Sequence, residues 1–236
     1  MNTGFYKDLD TNFEIAYEMA QKSFNHNELI QMLETGNIPE KQIAALSLEQ
    51  INNQKEAEIL VNNLTGCDGK IREAVALKIN QFLHAQPNYT EYFHQAEIFA
   101  NASIDINGNI CRLVIDSVSI LKQDSDFANT YLNRIIKFIN ETFSEIDKFI
   151  FRDKKYVINK QLFKLYWCLE SLKLFTSEID KTELLEILNR ASKEKEYTIR
   201  EKVAQILILV DNETFNDLKT YLKNEENYYV RNVFKP

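Results

Sequence analysis

His84 and His94 flank one turn, and Cys67 and Cys111 lie on either side of them. Imidazole and thiolate are the ligands zinc prefers. No pair among these residues has the i, i+3 or i, i+4 spacing that puts two ligands on one helix face, and there is no CxxC. No metal or other cofactor is expected. Asp105, Asn107, Asn109 and Asp116 fall at the first, third, fifth and twelfth places of a calcium loop. The sixth place is Ile110, where such a loop needs glycine, and the twelfth offers Asp rather than Glu. A polar turn accounts for the same residues without an ion. There is also no phosphate-binding glycine loop, no HExxH and no GxSxG. No catalytic residue is assigned, and the chain is not expected to be an enzyme.

Two other groups remain. Lys148, Arg152, Lys154, Lys155, Lys160 and Lys164 are interleaved with Phe149, Phe151, Tyr156 and Phe163, and offset by Asp147 and Asp153. Nucleic-acid surfaces use that mixture. A long amphipathic connector, with lysines extending off buried rings, has the same composition and is preferred here. Trp167 is the single tryptophan. Apolar residues surround it on both sides of a helical run, so it is assigned to the core, with a binding anchor as the alternative.

What must position these residues is helix. In 236 residues there are 5 Gly and 3 Pro, too few for a turn-rich β fold. Hydrophobic residues make up 44% and charged residues 27%, as in ordinary globular chains. Net charge is −7, which disfavours phosphate contacts and suits a partner with a basic face. The amino terminus lacks the basic-then-apolar pattern of a secretory signal, and no apolar run approaches the length of a membrane span. With three scattered cysteines read as reduced thiols, the expected location is cytoplasmic, with no membrane partner.

One phrase occurs twice. Ile71-Arg72-Glu73 and Ile199-Arg200-Glu201 each open an apolar helical run after a polar turn. Cys111-Arg112, Asn159-Lys160 and Val230-Arg231 echo it. Helical periodicity predicts an amino-terminal helix near 10–24, with Phe13, Ala16, Tyr17 and Ala20 leading. It then predicts pairs at 28–34/40–51, 55–64/70–83, 91–102/109–121, 127–143/160–175, 181–192/198–210 and 213–223/228–236. Gly36 fits a helix end and Pro39 the first turn of the next. Helix pairs recurring at such spacing predict an all-α, right-handed α-solenoid of five to six pairs, read as one domain over 1–236. Within it, 1–26 is a capping helix, 28–145 holds repeats 1–3 and the start of the fourth, 146–158 is an irregular basic connector, and 159–236 completes the stack.

Asp68-Gly69-Lys70-Ile71-Arg72 and Tyr197-Thr198-Ile199-Arg200-Glu201 resemble the turn and second-helix start of HEAT repeats. That resemblance implies a scaffold role for Asp68, Arg72, Arg112, Arg200 and Arg231, with Asp68 as a candidate partner for Arg72. It also implies that second helices line a concave face carrying Glu73, Asp116, Lys164, Trp167, Glu170 and Glu201. The implied function is a non-enzymatic protein-interaction scaffold with an acidic face. Compact bacterial HEAT-like proteins include immunity-type proteins that cover a toxin, and that is the specific form expected. The alternative is a HEAT-like alkylpurine DNA glycosylase, with Trp167, Asp116 and Arg112 as its aromatic and polar groups. Acidic residues on the same helices oppose that alternative.

Overall fold

The computed structural model describes residues 14–15, 17–19, 21–150 and 155–235, by backbone alone at 87, 149–150 and 155–158. The described residues are helices and turns, with no strand. Residues 14, 15 and 17–19 are helical, with Met19 buried and Tyr17 exposed, so Tyr17 does not lead the apolar face. Phe13, Ala16 and Ala20 lie outside the described residues.

The chain divides into two compact units, Met1–Ala128 and Asn129–Pro236. Unit 1 contains α1 (His26–Thr35), α2 (Ile38–Ser47), α3 (Gln54–Asn62), α4 (Gly69–Ala85), α5 (Ala96–Ala102) and α6 (Gly108–Leu121). A 3-10 segment, Pro87–Tyr92, precedes α5. In this unit α2 packs on α4 and α4 on α6, while α1 packs on α3 and α3 on α5. First helices thus stack on first helices and second on second, as stacked pairs must to bury faces that a lone pair exposes.

Among α1–α6, every start but that of α5 carries a side-chain cap. At α1, Asn25 Oδ1 accepts from Glu28 N (3.1 Å) and Glu28 Oε2 accepts from Asn25 N (2.8 Å). Asn37 and Glu40 repeat this reciprocal cap at α2, with Pro39 in the first turn. Gly36 makes the junction between them possible, since a Cβ there would lie 2.4 Å from Met32 O. Asp68 caps α4 and Asn107 caps α6. The predicted 40–51 helix stops at Ser47, and Ile51 is buried beyond it with its N–H donating to Tyr89 Oη (3.3 Å).

α7 (Ser125–Ile150) begins in unit 1 and continues into unit 2. Unit 2 also contains α8 (Lys155–Leu172), α9 (Lys181–Ala191), α10 (Tyr197–Leu207), α11 (Asn216–Lys223) and α12 (Tyr228–Asn232). Two 3-10 segments, Lys173–Phe175 and Glu213–Phe215, close α8 and open α11. Here α8 packs on α10 and α10 on α12, with α9 and α11 against α10. The expected irregular connector at 146–158 is helical at 146–150 and 155–158, so α7 and α8 are both longer than predicted. Continuous apolar spacing through Ile139, Phe143 and Ile146, all buried, carries α7 past the predicted end. Buried Tyr131 donates to Ser171 Oγ (2.9 Å) and stacks on Phe175, tying α7 to the end of α8.

The candidate site on the second helices

Counting from the cap residue puts the second helices in register. Asn37, Asp68, Asn107, Glu196 and Asn227 are the caps of α2, α4, α6, α10 and α12. Four places on stand Lys41, Arg72, Cys111, Arg200 and Arg231. Arg72 Nη1 donates back to Gly66 O (2.6 Å). Arg200 Nη1 donates back to Glu194 O (2.7 Å) and Lys195 O (2.8 Å). Arg231 Nη1 reaches the corresponding carbonyls of Glu225 (3.0 Å) and Glu226 (2.5 Å). Each arginine therefore closes its own turn.

Two of them also reach forward. Arg72 grips Asp105 with Nε (2.6 Å) and Nη2 (3.2 Å). Arg200 grips Glu225 with Nε and Nη2, each at 3.2 Å. These are fork-to-carboxylate pairs between successive turns. Asp68, expected as the partner of Arg72, instead accepts from Lys70 N and Ile71 N as the cap of α4.

Arg112 is not part of this row. It stands one place late, is exposed, and donates only to Asn109 Oδ1 (3.2 Å) among the described residues. Cys111 occupies the arginine place, its Sγ donating to Asp105 O (3.1 Å), the carbonyl six residues back. Burial, with the Asp105 charge, pushes the Cys111 thiol up to about 12.

The calcium-like turn is spent on this junction. Asp105 is held by Arg72, Asn107 caps α6, and Asn107 Nδ2 (3.3 Å) and Asn109 Nδ2 (3.2 Å) donate to Glu73. Glu73 is thereby occupied by the neighbouring turn. The histidines have separate partners: His84 Nε2 lies 2.7 Å from Asp116 Oδ2, while His94 lies against Glu91 O (2.7 Å) and Asp124 (3.6 Å). Among the described residues, no group of three His, Cys, Asp or Glu could hold a metal.

Asp116 faces outward, its side chain 53% exposed, and accepts from Asn80 Nδ2 (2.8 Å) as well as meeting His84. Partial burial alone would raise its pKa; the bonds from Asn80 and His84 outweigh it and hold the carboxyl low. No bond links Asp116 to Arg112.

In unit 2, Glu170 lies between α8 and α10. It pairs with Lys173 (3.0 Å) and with Lys202, a lysine buried to 8% exposure. Gln205 Oε1 accepts from Lys202 (3.1 Å), and Gln205 Nε2 donates to Glu201 (3.4 Å). The Lys202 ammonium also lies over the Tyr166 ring at 4.6 Å. Trp167 is buried, edge-on to Tyr166 (5.1 Å) and Phe163 (6.2 Å), and its Nε1 has no hydrogen-bond partner among the described residues. Lys164 takes a different direction, over Phe138 of α7 (4.5 Å) and 4.0 Å from Glu141.

Further along the second helices the register separates scaffold from surface. Eight places after the cap stand Ala45, Ala76, Ile115 and Ala204, all buried. Nine places after it stand Leu46, Leu77, Asp116 and Gln205. The two leucines are 47% and 36% exposed, Asp116 is exposed and Gln205 half-buried. Asp116 is legible in the sequence, whereas Leu46 and Leu77 look like core leucines until the caps set the count.

No protein-family description and no curated protein matches the chain. Among solved structures it is similar to the designed armadillo repeat protein YIII(Dq)4CqI. The TM-score is 0.44 at 11% identity, over 89% of this chain and 96% of that one. Stacked helix pairs are established here by the packing inside each unit. Among the described residues no helix is long and apolar enough to cross a membrane.

Proposed function

We propose that this chain is a non-enzymatic protein-interaction module that binds through the outward face of the second helices of unit 1, α2, α4 and α6. One observation carries the reading. Place eight after the cap is buried, small or aliphatic, in α2, α4 and α6 of unit 1, while the exposed place nine changes from Leu46 to Leu77 to Asp116. A repeated scaffold under a varied, solvent-facing row is what recognition of one particular partner needs. Leu46 and Leu77 supply apolar contact, and Asp116, already ionised in its hydrogen-bonded setting, supplies a fixed negative charge. The partner is a protein with a basic, partly apolar face, consistent with the chain's charge of −7. Neutralisation of a basic toxin in the cytoplasm, in the manner of an immunity protein, is the specific form proposed.

The test is affinity capture with the intact chain, followed by Leu77→Arg and Asp116→Lys. Both residues are exposed, so the variants should fold. Capture of one protein, lost in both variants, supports the reading. Capture undiminished by both, or recovery of nucleic acid alone, refutes it.

A further inference from the structure

Between Thr130 and Lys164 the sequence carries eight Lys and Arg against four Asp and Glu, within a chain of net charge −7. The described part of this stretch contains an open cleft of about 720 Å³ in unit 2. One wall is a face of α7, from Asn133 through Lys137, Asn140 and Ser144 to Lys148. Gln161 and Lys164 of α8 form the other.

Its charges are incompletely matched. Glu145 is taken by Lys148 (2.7 Å). Asp147, just outside, is taken by Arg190. Lys164 has only Glu141 near it, at 4.0 Å. Lys137 is exposed and has no ion-pair partner among the described residues. Beside the cleft, Arg134 lies over the Phe138 ring at 4.5 Å, the same distance as Lys164. The Arg134 Nε is buried and has no acceptor among the described residues. Three cations, Arg134, Lys137 and Lys164, thus surround one stretch of α7 with fewer acceptors than they can use.

We infer that this cleft docks an extended peptide segment bearing acidic side chains. Asn133 to Lys148 spans roughly 22 Å at ~1.5 Å per helical residue. That accommodates about six or seven extended peptide residues at ~3.3 Å each. Carboxylates on alternate residues of such a strand point to one side and meet Lys137 and Lys164. The Asn133, Asn140 and Gln161 amides, which both donate and accept, suit main-chain N–H and C=O groups. Glu141 and Glu145 in the lining oppose a nucleic-acid strand, whose phosphates recur at every residue. None of its residues belongs to the Leu46, Leu77 and Asp116 row, and the docking does not depend on that row.

The probe is a short fluorescein-labelled peptide of alternating Glu and Ala, followed by anisotropy against the full chain at low salt. Expected are saturable binding, weakening as salt rises, and a loss of roughly tenfold or more in Lys137→Glu, with a smaller loss in Lys164→Gln. Lys195→Glu, an exposed lysine outside the cleft, should leave the affinity unchanged. Thermal unfolding by circular dichroism establishes that each variant folds. Absence of saturable binding, equal loss in Lys195→Glu, or tighter binding of a single-stranded oligonucleotide of equal charge would each overturn the inference.

Discussion

Arg72 and Asp105 are 33 positions apart in sequence yet form a two-pronged pair, with the side chains 10% and 9% exposed. The same guanidinium holds Gly66 O, so one residue closes its own turn and anchors the next. Removing one partner of a buried pair leaves the other charged and unpaired, at a cost of about 3–5 kcal/mol. Arg72→Ala should therefore destabilise the chain by about that much in urea unfolding. Arg72→Lys should recover only part of it, because an ammonium has no fork. Arg112→Ala, exposed and outside the row, should change stability by less than about 0.5 kcal/mol. Equal losses at Arg72 and Arg112 would show that the register assigned to the second helices is wrong.

That contrast also shows what the sequence made legible. The Ile-Arg-Glu phrase marks a local event, a helix start after a turn, and local events leave local signals. Arg72, Arg200 and Arg231 were identifiable on that basis. Asp105 was not, because its role is set by stacking two turns that are far apart in the chain. Arg112 resembles the row only by residue type, since it lies five places after its cap rather than four. Aligning on the cap Asn107 puts Cys111 in the slot. Leu46 and Leu77 were hidden for a related reason: leucine on a helix looks like core until its angular position is fixed. The length of α7 is obscured in the sequence because its basic, aromatic stretch has the composition of a connector, although the apolar period continues through Ile139, Phe143 and Ile146.

The three thiols should react at different rates. Cys67 is exposed, while Cys111 and Cys168 are buried. The thiolate is the reactive form, and the Cys111 thiol, raised to about 12, is almost wholly protonated near pH 8. A disulfide-exchange reagent at pH 8 should titrate one thiol quickly in the native chain and all three in denaturant. Cys67→Ser should remove the fast phase. A fast phase that persists in that variant would mean that a buried cysteine is accessible.

Stability should depend on the charge of Glu170. Burial alone would raise its pKa, but bonds from Lys202 and Lys173 outweigh burial and leave it below the ordinary carboxylate value. A folded pKa below the unfolded one stabilises the fold above the unfolded pKa of about 4.3. That contribution is lost as pH falls through the lower folded value. Lys202 works in the opposite sense at the other end. Burial alone would lower its pKa, but Glu170 raises it. Its contribution is present below the unfolded value of about 10.4 and lost as pH climbs through the folded one. Glu170→Gln should flatten both limbs of the stability profile, measured by denaturation from acid to alkaline pH. Limbs unchanged in the variant would exclude Glu170 as their source.

Trp167 provides a direct reading of the α8 surface, since it is the single tryptophan and is 7% exposed. Its native emission should be blue-shifted and resistant to acrylamide, and both properties should disappear on unfolding. The Nε1 donor has no acceptor among the described residues, and a buried donor left so costs about 1–3 kcal/mol. Trp167→Phe keeps much of the ring and removes that donor, so the lost packing is partly offset and the net cost should be about 0–1.5 kcal/mol. Trp167→Ala removes the ring itself, leaves Phe163 and Tyr166 without their edge contacts, and should cost about 3–5 kcal/mol. If Trp167→Phe costs as much as Trp167→Ala, the indole N–H is satisfied in solution by a group or water that packs beside α8. In that case a native emission maximum shifted to the red points to water, and one that stays blue-shifted points to a protein acceptor.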